Sequence, residues 1–402
     1  MKRLEKAVLG TAILILLGAL LIVVFASGYV AHQKRWFDEA LIDEWRHAIR
    51  SIGNTGKEKR RRWYFSPTER TEAVTYQQPE RHPEALTLLT SMHGDDTLSA
   101  RIVDRAGNEV HRWNIDWYSI FPDDSHVPKR LRPKGQPGTH IHGAVLLDDG
   151  SLIFNFEGIG MARLAMCGEV LWTLPKLTHH SLYYSAENNT VWSSSRFRHS
   201  EAAPDYLPLH TAPLIEDTVL QVDAETGEVL TEISLVDVLD SNGYRSFYHM
   251  APKRRDYRIL EEDPLHLNDV EVFPANLTPG VFQPGDIMVS LRNLHTILVF
   301  DPETLDIRFL WIAKDLNGQH DPDFIDGNTV SVFDNNHVSN NAQSRIVILD
   351  ARTSSASVHY AGSDSGSEHF FTPILGKHQV LDDGSMLITE GRYGRAFEID
   401  PG

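Results

Sequence analysis

The sequence predicts an all-β fold, a six-bladed β-propeller carried behind an N-terminal transmembrane helix. Three observations lead there. The N-terminal region holds a long uncharged apolar run, a turn signal recurs six times between residue 104 and the end, and five of the repeats carry a histidine at one equivalent place. The composition is that of a folded chain: 402 residues, 41% hydrophobic and 23% charged. Asp and Glu number 55 against 38 Lys and Arg, a net charge of −17. Such a chain has no basic footprint for phosphates, which excludes a nucleic-acid-binding role. The single cysteine, Cys167, excludes an intramolecular disulfide and a Cys-rich metal centre.

Ala7 to Val30 is a run of 24 residues without a charge. At about 1.5 Å per helical residue it reaches across a hydrocarbon core of about 30 Å. This predicts a membrane anchor over residues 1–35. The alternative is a cleaved signal peptide, with Lys2, Arg3 and Lys6 as its basic start and Ala26-Ser27-Gly28 as the cleavage site. The run is longer than the usual apolar stretch of about 7–15 residues in such peptides. Basic residues flank it on both sides, so the positive-inside rule is nearly silent. Trp36 to Ile52 has apolar residues at helical spacing and reads as an amphipathic helix. A polar, basic linker (Gly53 to Arg62) follows, so residues 36–62 precede a folded domain over 63–402.

That domain reads as short strands and turns, with no helical pattern of any length. Hydrophobic strands end in Asp104-Arg-Ala-Gly107, Ala165-Met-Cys-Gly168, Asp223-Ala-Glu-Thr-Gly227, Asp301-Pro-Glu-Thr304, Asp350-Ala-Arg-Thr353 and Asp400-Pro-Gly402. The spacings are 61, 58, 78, 49 and 50 residues. Between these lie tight hairpin signals, Asp149-Gly150, Asn188-Asn189, Asp326-Gly327 and Asp383-Gly384. Gly and Asn tolerate the positive φ that such turns need. Six units of about four strands each indicate a propeller rather than a pair of β-sandwiches. The last repeat lacks its outermost strand, and Thr71 to Gln77 is expected to supply it. Asp240 to Asp263 and Phe197 to Pro213 are insertions of the kind that shape a binding face.

Five repeats place a histidine at or just before the first strand: His142, His180, His266, His320 and His378. First strands line a propeller's channel, so these imidazoles should converge near one mouth. That pattern suits a metal site or catalysis on an anionic substrate. Arg292 ends the second strand of the His266 repeat. A guanidinium there favours an oxyanion and disfavours a histidine-only metal site. Asp321 and Asp323 follow His320 and are read either as groups that orient its ring or as turn residues.

The chain resembles the bacterial arylsulfotransferases. The resemblance is sharpest at His179-His180, His266-Leu-Asn268, the MVSLRN strand with Arg292, and Gln319 to Asn336. It implies a six-bladed propeller that moves a sulfuryl group from an aryl sulfate to a phenol with no nucleotide donor, metal or other cofactor. By that resemblance His320 is the nucleophile that becomes sulfated, and His266, Arg292 and His180 surround the sulfate. His142, His378, Asn268 and His179 are expected to bind substrate. The propeller is expected on the periplasmic side. Two departures stand: one cysteine cannot form the disulfide of the periplasmic members, and those members are exported by a cleaved signal. A membrane-tethered binding module and a metal- or quinone-dependent propeller are the competing readings. No GxxxxGK[ST] phosphate loop is present, in keeping with the absence of a nucleotide donor.

Overall fold

The computed structural model describes residues 82–93, 95–129, 131–207, 210, 212–250, 262–312, 315–337, 343–362 and 370–400, with Ala19, Val23, Ser27 and Val74 besides. The chain divides into two units, Met1–Tyr64 and Phe65–Gly402. No helix among the described residues is long and apolar enough to cross a membrane. The expected anchor, apart from its helical residues Ala19, Val23 and Ser27, lies outside the described residues. So do the amphipathic helix, the linker and, Val74 aside, the expected closing strand.

The second unit is a six-bladed propeller of antiparallel sheets. In chain order the first sheet holds β1 to β3 (Thr87–Met92, Leu98–Val103, Glu109–Ile115). The second holds β4 to β7 (Ile141–Leu146, Leu152–Phe156, Gly160–Leu164, Val170–Leu174). The third holds β8 to β11 (His179–Ser185, Thr190–His199, Leu214–Asp223, Val229–Ser234). The fourth holds β12 to β15 (Leu267–Val272, Ile287–Leu291, Thr296–Phe300, Ile307–Ile312). The fifth holds β16 to β19 (His320–Asp326, Thr329–Asp334, Arg345–Asp350, Ser355–Tyr360) and the sixth β20 to β22 (Lys377–Val380, Met386–Glu390, Arg395–Ile399). The leading strands β4, β8, β12, β16 and β20 lie against one another in succession and form the inner wall.

The recurring turns fall between the third and fourth strands of the four complete sheets. An aspartate opens most of them because its carboxylate caps the turn's own backbone. Asp223 Oδ1 accepts the N–H groups of Glu225 and Thr226 at 3.0 and 2.7 Å, and Asp301 and Asp350 repeat the arrangement. In the first sheet this turn lies between β2 and β3. Those strands therefore occupy the third and fourth places, and the described part of that sheet lacks the leading strand. The described part of the sixth sheet lacks the outermost one.

Five apolar clusters fill the gaps between neighbouring sheets, from the first–second interface round to the fifth–sixth. Across the remaining gap, from sixth to first, Arg105 pairs with Glu398 and His82 Nε2 lies 3.1 Å from Asp383 Oδ2. Outer-strand tryptophans tie blade to blade. Trp113 Nε1 donates to the Ala165 carbonyl and Trp172 Nε1 to that of Ala224, each at 2.9 Å, so each outer strand grips the turn of the next blade.

The helix-free expectation is corrected at three short helices: α1 (Trp117–Ile120), α2 (Leu235–Ser241) and α3 (Phe247–Met250). In α2 the Ser234 hydroxyl caps the start by accepting the Val236 N–H at 3.1 Å. Leu235, Val236, Val238 and Leu239 are its buried face and join the apolar cluster between the third and fourth sheets. The helix is two turns long, too short for its periodicity to stand out from the strands around it.

Gly168 and Gly227 hold the same place in successive turns, with φ of +86° and +75°. A Cβ on Gly168 would meet nothing within 4 Å, whereas one on Gly227 would lie 2.7 Å from the Trp172 ring. Gly168→Ala is expected to cost about 1–2 kcal/mol of backbone strain alone. Gly227→Ala should lose a further 1–3 kcal/mol or so by overpacking. Chemical denaturation of the two variants checks this, and equal losses would refute it.

Candidate active site

The leading strands begin irregularly, and the histidines sit at those irregularities. Pairing with the second strand shifts register between Ile141 and Ala144, between His179 and Leu182, between Leu267 and Asp269, and between His320 and Pro322. His180 and His266 have φ of +55°, and Asp321 has +47°, a left-handed backbone rare outside glycine. Such breaks re-aim side chains. Gly143 allows a close approach: a Cβ there would stand 2.3 Å from the His180 carbonyl.

The result is a chain of imidazoles across three blades. The His142 and His180 ring centres are 4.1 Å apart, and those of His180 and His266 are 5.2 Å apart. His320 joins them from the next blade. Its Nδ1 lies 2.6 Å from Asn335 Oδ1 and 3.1 Å from the Gly318 carbonyl. Both partners are acceptors once Asn335 Nδ2 donates to the carbonyls of Thr372 and Leu375 at 2.8 and 2.7 Å. The proton of His320 therefore belongs on Nδ1, and Nε2 carries a lone pair. Burial lowers His320 to about 3, helped by the fields of Arg292, His266 and His142. His180 is likewise lowered well below the ordinary range, by burial first and then by His142.

Charged groups surround these rings. His266 Nδ1 meets Asp263 Oδ2 at 2.6 Å, and His142 Nδ1 meets the Glu157 carboxylate. Arg196 Nη2 stands 3.8 Å from Glu157 Oε1. Burial works to raise Glu157, yet His142, His180 and Arg196 hold it well below the ordinary carboxylate range. Asp263 is held down against burial in the same way, chiefly by His266. Arg292 makes no ion pair among the described residues; its one side-chain hydrogen bond, at 3.4 Å, goes to Asn293.

The remaining expected site residues lie further back. His179 is 1% exposed, and its Nδ1 is 2.7 Å from His180 Nδ1. Asn268 Nδ2 donates to the Gln319 carbonyl at 2.7 Å, which steadies the approach to His320. His378 is not brought among the rings. Its strand pairs without a break, its Nδ1 lies 3.1 Å from Asp321 Oδ2, and its Nε2 lies 2.7 Å from Ser331 Oγ. Asp321 serves that network together with Lys377 and does not orient His320; Asn335 does so instead. Asp321 and Asp323 stand in β16, so they are not turn residues.

Sequence reasoning missed Glu157, Arg196, Asp263 and Asn335. Three of the four share one structural position with Arg292. Glu157, Arg292 and Asn335 directly follow the second strands β5, β13 and β17, and Arg196 holds the corresponding place in the longer β9. Glu157 N–H donates to the His140 carbonyl and Arg292 N–H to that of His266, each at 3.1 Å. That repeated position was the available signal.

Two groups among the described residues bring three possible metal ligands within 4.8 Å: His140, His142 and Glu157, and Asp321, Asp323 and His378. In each a carboxylate already has a cationic neighbour. Arg196 attends Glu157, and Lys377 Nζ is 2.5 Å from Asp321 Oδ1. A metal ion would have to displace that charge.

Solved structures resembling the chain give low similarity. A protein of unknown function from Bacteroides caccae matches with a TM-score of 0.45 at 13% identity, covering 79% of this chain and 90% of its own. The Dos1 propeller gives 0.38 at 10% identity, covering 76% and 63%. The dihydro-heme d1 dehydrogenase NirN, in complex with DHE, gives 0.35 at 12% identity, covering 79% and 51%. No curated protein matches. A sequence profile of the arylsulfotransferase (ASST) family matches residues 143–402, which begin at the glycine that lets His142 meet His180 and take in His180, His266, Arg292 and His320. The chain is therefore a six-bladed β-propeller that belongs to the arylsulfotransferase family.

Proposed function

We propose that the protein transfers a sulfuryl group from an aryl sulfate to a phenolic acceptor in two steps, through a sulfated histidine. The observation that carries this reading is the fixed tautomer of His320, with Nδ1 committed to Asn335 and Gly318 and Nε2 left as a lone pair. In the first step Nε2 attacks sulfur, the N–S bond forms, and the S–O bond to the phenolate breaks. In the second the acceptor oxygen displaces the imidazole. Sulfuryl transfer resembles phosphoryl transfer: its loose transition state puts charge on the peripheral oxygens, so the protein's task is to position the group and neutralise that charge. Arg292, without a carboxylate partner among the described residues, and His266 bind those oxygens. His180, between His142 and His266, handles the phenol's proton. No nucleotide sulfate and no cofactor takes part. We further propose that the N-terminal apolar run spans a membrane as a helix and tethers the propeller on the periplasmic side.

Full-length protein supplied with an aryl sulfate and a second phenol tests the reading. Turnover should need the acceptor, and His320→Asn should lower it at least about 10³-fold. Sulfate should be recovered on the His320 peptide when acceptor is withheld. No turnover with any donor, from folded protein, would refute the reading. Arg292→Lys keeps the charge but loses the planar fork, and kcat/KM should fall about 10²-fold.

The pH behaviour follows from burial. His179 and His320 are lowered to about 3 and His140 to about 4, each chiefly by burial. The unfolded chain takes up these protons below about pH 6.5, where the folded chain does not. Stability is therefore full above that value and falls as pH drops through the window towards 3. Tm should decline on acidification from about pH 7 to 4, and less so in His320→Asn. An unchanged slope in the variant would contradict the buried neutral imidazole.

A further inference from the structure

We propose that His179 and Asp217 form a proton relay behind His180, so that the proton needed in each half-reaction passes to and from the Asp217 carboxyl. The inference rests on the sulfuryl-transfer reading above. Its geometry is independent of it. His180 Nδ1 is 2.7 Å from His179 Nδ1, and His180 Nε2 has no hydrogen-bond partner among the described residues. His179 Nε2 is buried without a hydrogen-bond partner, and the nearest carboxylate oxygen is Asp217 Oδ1 at 3.9 Å. A small rotation of either side chain, or one bridging water, spans that gap. Asp217 is 2% exposed and held in place, its Oδ2 accepting the Leu267 N–H at 3.1 Å. Leu267 follows His266, so one carboxyl is fixed to two of the blades that build the site.

The site creates the need for such a relay. A lone His180 acting as acid would have to carry an imidazolium beside His142 and His266, in a buried place that already disfavours it. Asp217 is suited to hold the proton instead. Burial and the neighbouring Asp263 push its carboxyl well above the ordinary range, and Glu216, Arg196 and Tyr248 also face it. In the first step the donor S–O bond breaks as the His320 N–S bond forms. His180 Nε2–H protonates the departing phenolate, His180 Nδ1 takes the Nδ1 proton of His179, and His179 Nε2 takes the proton of Asp217. Both rings end neutral with their tautomers exchanged, and Asp217 is a carboxylate. In the second step the acceptor's proton enters at His180 Nε2 and the sequence reverses, restoring the Asp217 carboxyl. Each half-reaction moves one net proton and leaves neither His179 nor His180 as an imidazolium. His179 and Asp217 never touch substrate; they are positioning residues that act through His180.

The test uses full-length protein and a series of aryl sulfates, from nitrophenyl to alkylphenyl leaving groups. Asp217→Asn should change release of the acidic nitrophenol by about threefold or less and slow the weakly acidic alkylphenols by about 10²-fold or more. His180→Gln should give the same pattern. A purely structural role would slow all donors alike, and that result, or an unaltered leaving-group dependence, overturns the relay. Should the variant fail to fold, wild-type rates in mixtures of light and heavy water decide the matter for an alkylphenyl donor. Curved dependence is expected for several protons in flight, and a linear one overturns the proposal. Absence of wild-type turnover would instead overturn the sulfuryl-transfer reading, and the relay with it.

Discussion

The leading strands of neighbouring blades meet at the axis, and four of the five described lose register with their own second strands where they start. Everything at the site depends on that break. His180 and His266 take up a left-handed backbone there. Conformations of that kind cost about 1–3 kcal/mol each and persist only where the surroundings over-determine them. The surroundings are the turns after the second strands, bonded back through Glu157 N–H and Arg292 N–H to the carbonyls of His140 and His266. His378 is the internal control. Its strand pairs regularly, and its ring remains in a network with Asp321 and Ser331.

Once the backbone is so fixed, burial decides protonation. His180 and His320 are neutral because the site desolvates them, while Glu157 and Asp263 stay ionised because histidines and Arg196 outweigh the same desolvation. The charges then sort into sets. His142, Glu157 and Arg196 form one, and His266 with Asp263 another. Arg292 is left without a carboxylate among the described residues, on the blade next to His320. A partly buried guanidinium in that state attracts an anion with several oxygens.

The sequence makes the blades legible because its turns are local. An aspartate that caps its own backbone, or a glycine at positive φ, works the same way in every repeat, so the pattern survives in the chain. The histidines were visible for a related reason, since one residue type recurs at one place. Glu157, Arg196, Arg292 and Asn335 share a place too, but that place holds Glu, Arg, Arg and Asn, so only its position after each second strand marks it and no residue type does. Asp217 is hidden more thoroughly. It lies in the middle of β10, among Leu214, Ile215 and Val219, where the sequence records only a buried strand. Its link to His179 exists only after the third sheet has formed. The three-stranded first sheet was concealed by the same logic, because its turn repeats faithfully while its leading strand is not among the described residues.

The same division explains how this fold supports chemistry. The apolar clusters between sheets and the tryptophans that grip neighbouring turns set the blade positions without reference to the axis. Each of the second to fifth blades then delivers one or two polar groups to the mouth from fixed places, the start of the leading strand and the residue after the second. Those side chains can differ from blade to blade without disturbing the packing behind them. The neutral imidazoles of His180 and His320 can therefore be assembled beside a guanidinium that has no carboxylate partner among the described residues, with carboxylates bonded to His142 and His266. The two neutral rings can present a nucleophilic nitrogen to an anion, but they have little capacity to store a proton as imidazolium. Any chemistry here that both releases and consumes a proton must place that proton on a group whose charged form is the deprotonated one, and among the residues behind His180 that group is a carboxyl.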